Sequence, residues 1–361
     1  MALGAGFIFV ALAKKTEPYI LFPIGLGIII GNLPNNALTA LVAGDPMAPD
    51  ALQKSGLLGL SFHYALSFWN IIPPLIFLGL GAMTDFGPIL ANPKTLLLGT
   101  AAQLGIFAAF WGALALGFTP KEAASIGIIG GADGPTTIFT SAVLAPHLLS
   151  RTAVVGYSYM AAVVFIQPPL MRLLTTKRER QIVMRPMRQV SRLEKLAFPV
   201  VVMVVSILLV PDAAPLIAMF MVGNLFAESG AVPRLSHAAS NEIMNMVTIA
   251  LMLTVGSQVT AERVLESQTL GIVALGFFAF ALSTIGGLLS AKIMNLFVKE
   301  KVNPLIGSAG VSAVPMAARI SHVLGQEANP TNFLLPHAMG PNVAGVIGSA
   351  VVAGVMISIL K

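Results

Sequence analysis

Apolar runs of spanning or near-spanning length recur along this chain, near 18–34, 62–83, 95–118, 152–172, 196–211, 213–227, 242–257, 270–291 and 331–357. A helix needs roughly 20 apolar residues to cross the hydrocarbon of a bilayer. Within that hydrocarbon a helix satisfies its backbone inside one segment, so runs of this kind dictate helices. The composition agrees, with 56% hydrophobic and 10% charged residues against about 25% charged in a soluble domain. An all-α polytopic membrane protein is expected, with about nine spans and residues 1–361 forming a single integral membrane domain. The stretch from Ala2 to Ala13 is apolar but short, with no basic region ahead of it, and reads as neither a signal peptide nor a span.

Charge sets the orientation. Eight basic residues (Arg172, Lys177, Arg178, Arg180, Arg185, Arg188, Arg192 and Lys195) supply much of the net charge of +6. In a soluble chain such a block suggests nucleic acid; flanked by apolar runs it marks a cytoplasmic loop of a multi-pass protein of the cell (inner) membrane, with no nucleic-acid partner. Lys14 and Lys15 fit the inside, and Asp45 and Asp50 with only Lys54 fit the outside. The chain has no cysteine, which excludes disulfides, thiolate metal sites and thiol nucleophiles.

Two segments, 122–147 and 303–325, are broken by glycine and proline. The side count makes the first a re-entrant hairpin from the outer face and returns the second from the inner face, as a hairpin or a broken span. Weak internal similarity points the same way. Gly31-Asn32-Leu33 recurs as Gly223-Asn224-Leu225, Asn70 and Gly81 as Asn245 and Gly256, and Gly127, Gly130 and Pro135 as Gly307, Gly310 and Pro315. The expected arrangement is an inverted repeat: 14–172 as the first copy, 173–195 as the basic cytoplasmic loop, 196–361 as the second copy. Inverted repeats with broken helices meeting near the midplane are how many ion-coupled transporters build their sites.

Gly130-Gly131-Ala132-Asp133-Gly134-Pro135 puts a carboxylate where a charge is costly unless it meets an ion, a counter-charge or a polar cavity. Asp133 is expected to face Asn303, Ser308, Ser312 and Arg319 of the second broken segment. That oxygen-rich set suits Na⁺ or a proton rather than a transition metal. The plainer reading is that Asp133 caps a half-helix or pairs with Arg319. Tyr157 reads as an interfacial belt residue and Tyr159, deeper, as a proton or ion contact. Asn342 either joins the ion site or satisfies backbone freed by Pro341, and Gln167 satisfies the kink at Pro168-Pro169.

The Gly-Gly-Ala-Asp133-Gly-Pro-Thr run, Tyr-Ser-Tyr159-Met with Gln167-Pro-Pro, Asn303-Pro-Leu-Ile-Gly307 through Ser312 to Arg319, and Gly-Pro-Asn342-Val-Ala-Gly-Val-Ile-Gly-Ser together resemble the β subunit of the sodium-ion-translocating biotin-dependent decarboxylases. The resemblance extends from Glu17-Pro-Tyr to the last span. It implies a subunit that decarboxylates carboxybiotin, consumes a proton and exports Na⁺ as coupling ion. The carboxybiotin would be presented by a biotin carrier protein or domain. A carboxyltransferase α subunit, a small membrane γ subunit and further copies of the chain would be the other partners.

The resemblance further implies Asp133, Asn303, Gly307, Ser312 and Asn342 at the Na⁺ site, Gly307 by permitting close approach. It also gives Tyr159 and Asp133 proton or ion chemistry and puts Arg319 at the carboxybiotin carboxylate, a group arginine holds bidentately. On residue chemistry alone a stand-alone Na⁺- or H⁺-coupled transporter of an organic anion is the rival. A purely structural anchor leaves the buried carboxylate unexplained.

Overall fold

The computed structural model describes residues 1–13, 17–34, 37–39, 55–261 and 266–361, and these form helices and no strands. Lys14, Lys15, Asp45, Asp50 and Lys54, used above for sidedness, lie outside the described residues. In chain order the main helices are α1 (Ala2–Ala13), α2 (Pro18–Gly31), α3 (Leu57–Phe68), α4 (Ile72–Met83), α5 (Thr95–Ala115), α6 (Pro120–Gly127), α7 (Gly134–Leu144), α8 (Leu149–Leu174), α9 (Arg192–Leu209), α10 (Ala214–Ser229), α11 (Pro233–Ser257), α12 (Ser267–Phe297), α13 (Met316–Ala328) and α14 (Leu335–Leu360).

Each of the nine apolar runs carries a helix, but length separates them. Among the described residues five helices are long and apolar enough to cross a membrane, and α3 with α4 adds a sixth if that pair, bent by 78°, is one span. The bend falls at Asn70, which has a positive φ of 48°. Helix α2, with 14 residues, rises about 21 Å, short of a hydrocarbon layer about 30 Å thick.

Both glycine- and proline-broken segments double back. In the first, a Thr119/Glu122 capping box starts α6, a tight turn follows through Gly131, and Ala132 adopts the left-handed conformation before Asp133 opens α7. Glu122 and His147, at its two ends, pair at 2.8 Å. In the second, Asn303 caps the turn Pro304–Gly310 and α13 returns. Asn303 Nδ2 donates to the carbonyls of Arg180 and Ile182 at 2.8 and 2.9 Å. Asn332 Nδ2, beyond the end of α13, donates to the same two carbonyls at 3.1 Å each. Segment 303–325 is therefore a hairpin.

The two hairpins are based at opposite ends of α8. His147 leads into its first turn, while Arg172 in its last turn pairs with Glu327 of α13 at 2.8 Å. The 26 residues of α8 separate those ends by about 39 Å.

Two glycine crossings relate the halves of the chain by exchange. Helix α2 packs on α11 so closely that a Cβ at Gly27 would lie 2.5 Å from the Leu253 carbonyl oxygen, and one at Gly256 2.4 Å from that of Ile24. Helix α10 packs on α4 in the same way, with Gly223 at 2.0 Å from the Leu78 oxygen and Gly81 at 1.9 Å from that of Phe220. Asn32 Nδ2 donates to Val259 O and Asn224 Nδ2 to Thr84 O, both at 2.6 Å. Asn32 and Asn224, paired in the sequence comparison, thus make like bonds to a facing helix end. The glycine contacts match Gly27, not Gly31, with Gly223, one helical turn away.

Candidate functional site

Helix α7 starts where it does because Asp133 is its N-cap: Oδ1 accepts from the Thr136 N–H at 3.1 Å. Pro135 suits the first turn, where an N–H would otherwise lack a partner. The other carboxylate oxygen, Oδ2, accepts from Ser349 Oγ of α14 at 2.7 Å. Ser312 Oγ in turn donates to Ser349 Oγ at 3.2 Å, and the Ser312 N–H donates to Gly131 O at 2.8 Å. The tips of the two hairpins thus meet at backbone and side-chain level around one carboxylate that is only 4% exposed.

Backbone released by the breaks is satisfied from the long helices, as burial away from water requires. Asn342 Nδ2 donates to Ala309 O and Val311 O at 2.9 and 2.7 Å, Gln167 Nε2 to Ser308 O at 2.9 Å, and Ser283 Oγ to Gly130 O at 2.7 Å. Asn342 therefore serves the second hairpin rather than the kink at Pro341, and Gln167 reaches across to it instead of closing its own kink. Asn342 Oδ1, Thr136 Oγ1, Gln103 Oε1 and the Tyr157 hydroxyl are buried without a partner among the described residues. These orphaned oxygens, with Asp133 and the serines, make a donor set of hard ligands.

Of the residues expected at this centre, Asp133 and Ser312 meet there, with Asn342 bound to the same hairpin tip. Five others stand elsewhere, Arg319 among them. Asn303 fixes the basic loop, as described above. Ser308 Oγ donates to Leu305 O at 2.7 Å, inside its own hairpin. Gly307 lets the second hairpin touch α12, its Cβ position lying 2.1 Å from Gly287 O. The Tyr159 hydroxyl donates to Val273 O of α12, which ties α8 to α12 and leaves no bond to Asp133. Tyr157 is the tyrosine beside the carboxylate: it is 2% exposed, and its ring fills the space a Cβ at Gly134 would need. Its expected place in an interfacial belt is corrected by that burial. Successive helical residues two apart point to opposite faces, so only one of the two tyrosines reaches α7.

Arg319 does not pair with Asp133. It lies in the first turn of α13 and lines a cavity of about 390 Å³ together with Glu17, Arg172 and Glu327. Ser349 and Gln103 went unread in the sequence. A signal for Ser349 existed, because it follows Asn342 by seven residues and so lies on the same helix face.

A family model described as the Na⁺-transporting oxaloacetate decarboxylase beta subunit matches residues 1–360. The chain belongs to this family. This beta subunit is 54% identical over 373 residues to the methylmalonyl-CoA decarboxylase subunit beta of Propionigenium modestum, covering 99% of the chain and 93% of the relative. It is 52% identical over 360 residues to the glutaconyl-CoA decarboxylase subunit beta of Acidaminococcus fermentans, covering 100% and 92%. It is 49% identical over 415 residues to the oxaloacetate decarboxylase beta chain of Klebsiella pneumoniae, covering 99% and 96%. The chain is thus a membrane beta subunit of a Na⁺-pumping decarboxylase, and the rival of a stand-alone transporter falls away.

Proposed function

We propose that this subunit removes CO₂ from carboxybiotin brought by a biotin carrier protein or domain, consumes a proton in doing so, and couples the step to Na⁺ export across the cell inner membrane. The observation that carries the reading is the meeting of two oppositely based hairpins at Asp133. Its Oδ2, the hydroxyls of Ser349 and Ser312, and the orphaned Oδ1 of Asn342 supply oxygens for Na⁺. Arg319, in a cavity beside the second hairpin, is the group for the carboxybiotin carboxylate. Asn303, Gly307 and Tyr159 serve this site by fixing the basic loop and α12 around it.

The exchange of glycine crossings between α2/α11 and α10/α4 supports an inverted repeat. Nine membrane-crossing elements follow if the short α2 and the pair α9 and α10 also cross. The basic 173–195 loop is then cytoplasmic, where a carrier domain, a carboxyltransferase α subunit and a small γ subunit can reach it, and the chain works as a homo-oligomer in that complex. Relatives named for three different substrates are each about half identical to this chain over nearly its whole length, which supports a choice of acid made in another subunit.

The test is CO₂ release from free or carrier-bound carboxybiotin, with and without Na⁺, by wild type and Asp133→Asn. Sodium-dependent release that the substitution abolishes is expected. No release at any Na⁺ concentration from folded wild-type protein would overturn the reading.

A further inference from the structure

Two cavities share a wall at Glu17. The first is the Arg319 cavity. The second, of about 320 Å³, is bordered by Glu17 and Met316 at one side and by Pro135, Tyr157 and Ala313 of the hairpin region at the other. Glu17 and Met316 line both. Of these, only Glu17 can carry a proton.

Its setting is unusual. Glu17 precedes α2 in the left-handed conformation, φ 38° and ψ 56°, and its side chain makes no capping bond although it occupies the cap position. A non-glycine residue is strained in that conformation, and such strain gathers at functional sites. Among the described residues no ion pair engages its carboxyl, and Arg319 is the charge that acts on it. The other arginine of the cavity, Arg172, is already paired with Glu327. Arg319 is therefore the cation left for an incoming carboxylate, and Glu17 the acid left beside it.

We propose that Glu17 is the general acid of the decarboxylation, a role that rests on the carboxybiotin reading above. When the N–C bond of an N-carboxylated ureido group breaks, CO₂ departs and the bonding pair remains on nitrogen, which needs a proton. Glu17 in its carboxylic acid form gives that proton to the nitrogen and becomes a carboxylate. One anion beside Arg319, the carboxyl of the substrate, is thereby exchanged for another, the Glu17 carboxylate, and the net charge of the cavity is unchanged through the step. The second cavity gives Glu17 an approach for its next proton from the hairpin side while the biotin ring fills the first.

The experiment is single-turnover CO₂ release by the intact decarboxylase complex with carboxybiotin on its carrier. Glu17→Gln should slow release by about 10²-fold or more, the usual worth of a positioned acid, while the Na⁺ concentration for half-maximal release stays at the wild-type value. Glu17→Asp should keep a measurable part of the rate. Glu17→Ala, which opens space, should regain rate on addition of formic or acetic acid in proportion to the undissociated acid. Release by Glu17→Gln within about threefold of wild type, or a folded, Na⁺-responsive Glu17→Ala complex that no added acid accelerates, would overturn the assignment. A wild-type complex that releases nothing would sink the carboxybiotin reading itself, and this role with it.

Discussion

Ser349 Oγ lies 2.7 Å from Asp133 Oδ2 and 3.2 Å from Ser312 Oγ, so one hydroxyl of the last helix bridges the tips of both hairpins. A hydrogen bond to a charged group contributes about 1.5–3 kcal/mol. Ser349→Ala should therefore raise the Na⁺ concentration for half-maximal CO₂ release roughly 10- to 100-fold, and Ser349→Thr, which keeps the hydroxyl, should stay nearer wild type. An unchanged Na⁺ dependence in Ser349→Ala would remove Ser349 from the ion site.

Close approach at Gly307 predicts a packing defect rather than a lost ligand. The Cβ positions of Gly307 and Gly287 fall 2.1 and 2.0 Å from each other's carbonyl oxygen, so an added methyl must push the second hairpin away from α12. Overpacking of this kind costs about 1–3 kcal/mol. Gly307→Ala should lower the unfolding temperature in detergent together with Na⁺-dependent activity. Gly6→Ala, where a Cβ meets nothing within 4 Å, should leave both alone. Equal behaviour of the two variants would refute the argument.

Asn332 should matter for the basic loop. It shares two acceptors, Arg180 O and Ile182 O, with Asn303. Asn332→Ala removes one of two donors from each carbonyl, at about 1 kcal/mol, and should speed trypsin cleavage at the loop arginines, read as a faster loss of intact chain on a gel. Cleavage at the wild-type rate would show that Asn303 alone holds the loop.

Asp133 was legible in the sequence because a lone carboxylate in apolar surroundings is expensive wherever the fold puts it. The broken segments were legible for a related reason: glycine and proline free backbone groups that need partners. Gln103 was not, since a glutamine in a long apolar helix looks the same whether it lines a polar centre or bonds its own backbone, and Ser349 offered only its seven-residue spacing from Asn342. The tyrosines show a second limit. Depth along α8 favoured Tyr159, but azimuth decides, and it turns Tyr157 towards Gly134 and Tyr159 towards Val273. The glycine landmarks of the proposed repeat stood in the sequence, yet the matching of Gly27 rather than Gly31 with Gly223 comes from backbone contacts that no pairing of identical residues reveals.

One pH effect should come from the basic loop. Partial burial raises the carboxyl of Glu179, but hydrogen bonds from Thr176 and the Lys292 ammonium, 3.1 Å away, outweigh it and hold that carboxyl below its usual 4.5. A lowered folded value means stability that is present above about pH 4.5 and lost as pH falls from there through the lower, folded value. Wild type should exceed Glu179→Gln in thermal stability at pH 7 by at most about 1 kcal/mol, the range of solvent-screened pairs. The gap should close in acid. A gap that widens as pH falls below 4.5 would contradict the sign.

The sidedness of the hairpins can be read with thiol chemistry because the chain has no cysteine of its own. His147 closes the first hairpin and Thr331 follows the end of the second, and both are exposed. If the basic loop is cytoplasmic, a membrane-impermeant maleimide added to intact cells should label His147→Cys and spare Thr331→Cys. Inside-out vesicles should give the reverse. Labelling of both from one side would mean that the hairpins enter from the same face, and Asp133 and Ser312 would then have to meet by some route other than two oppositely based re-entrant segments.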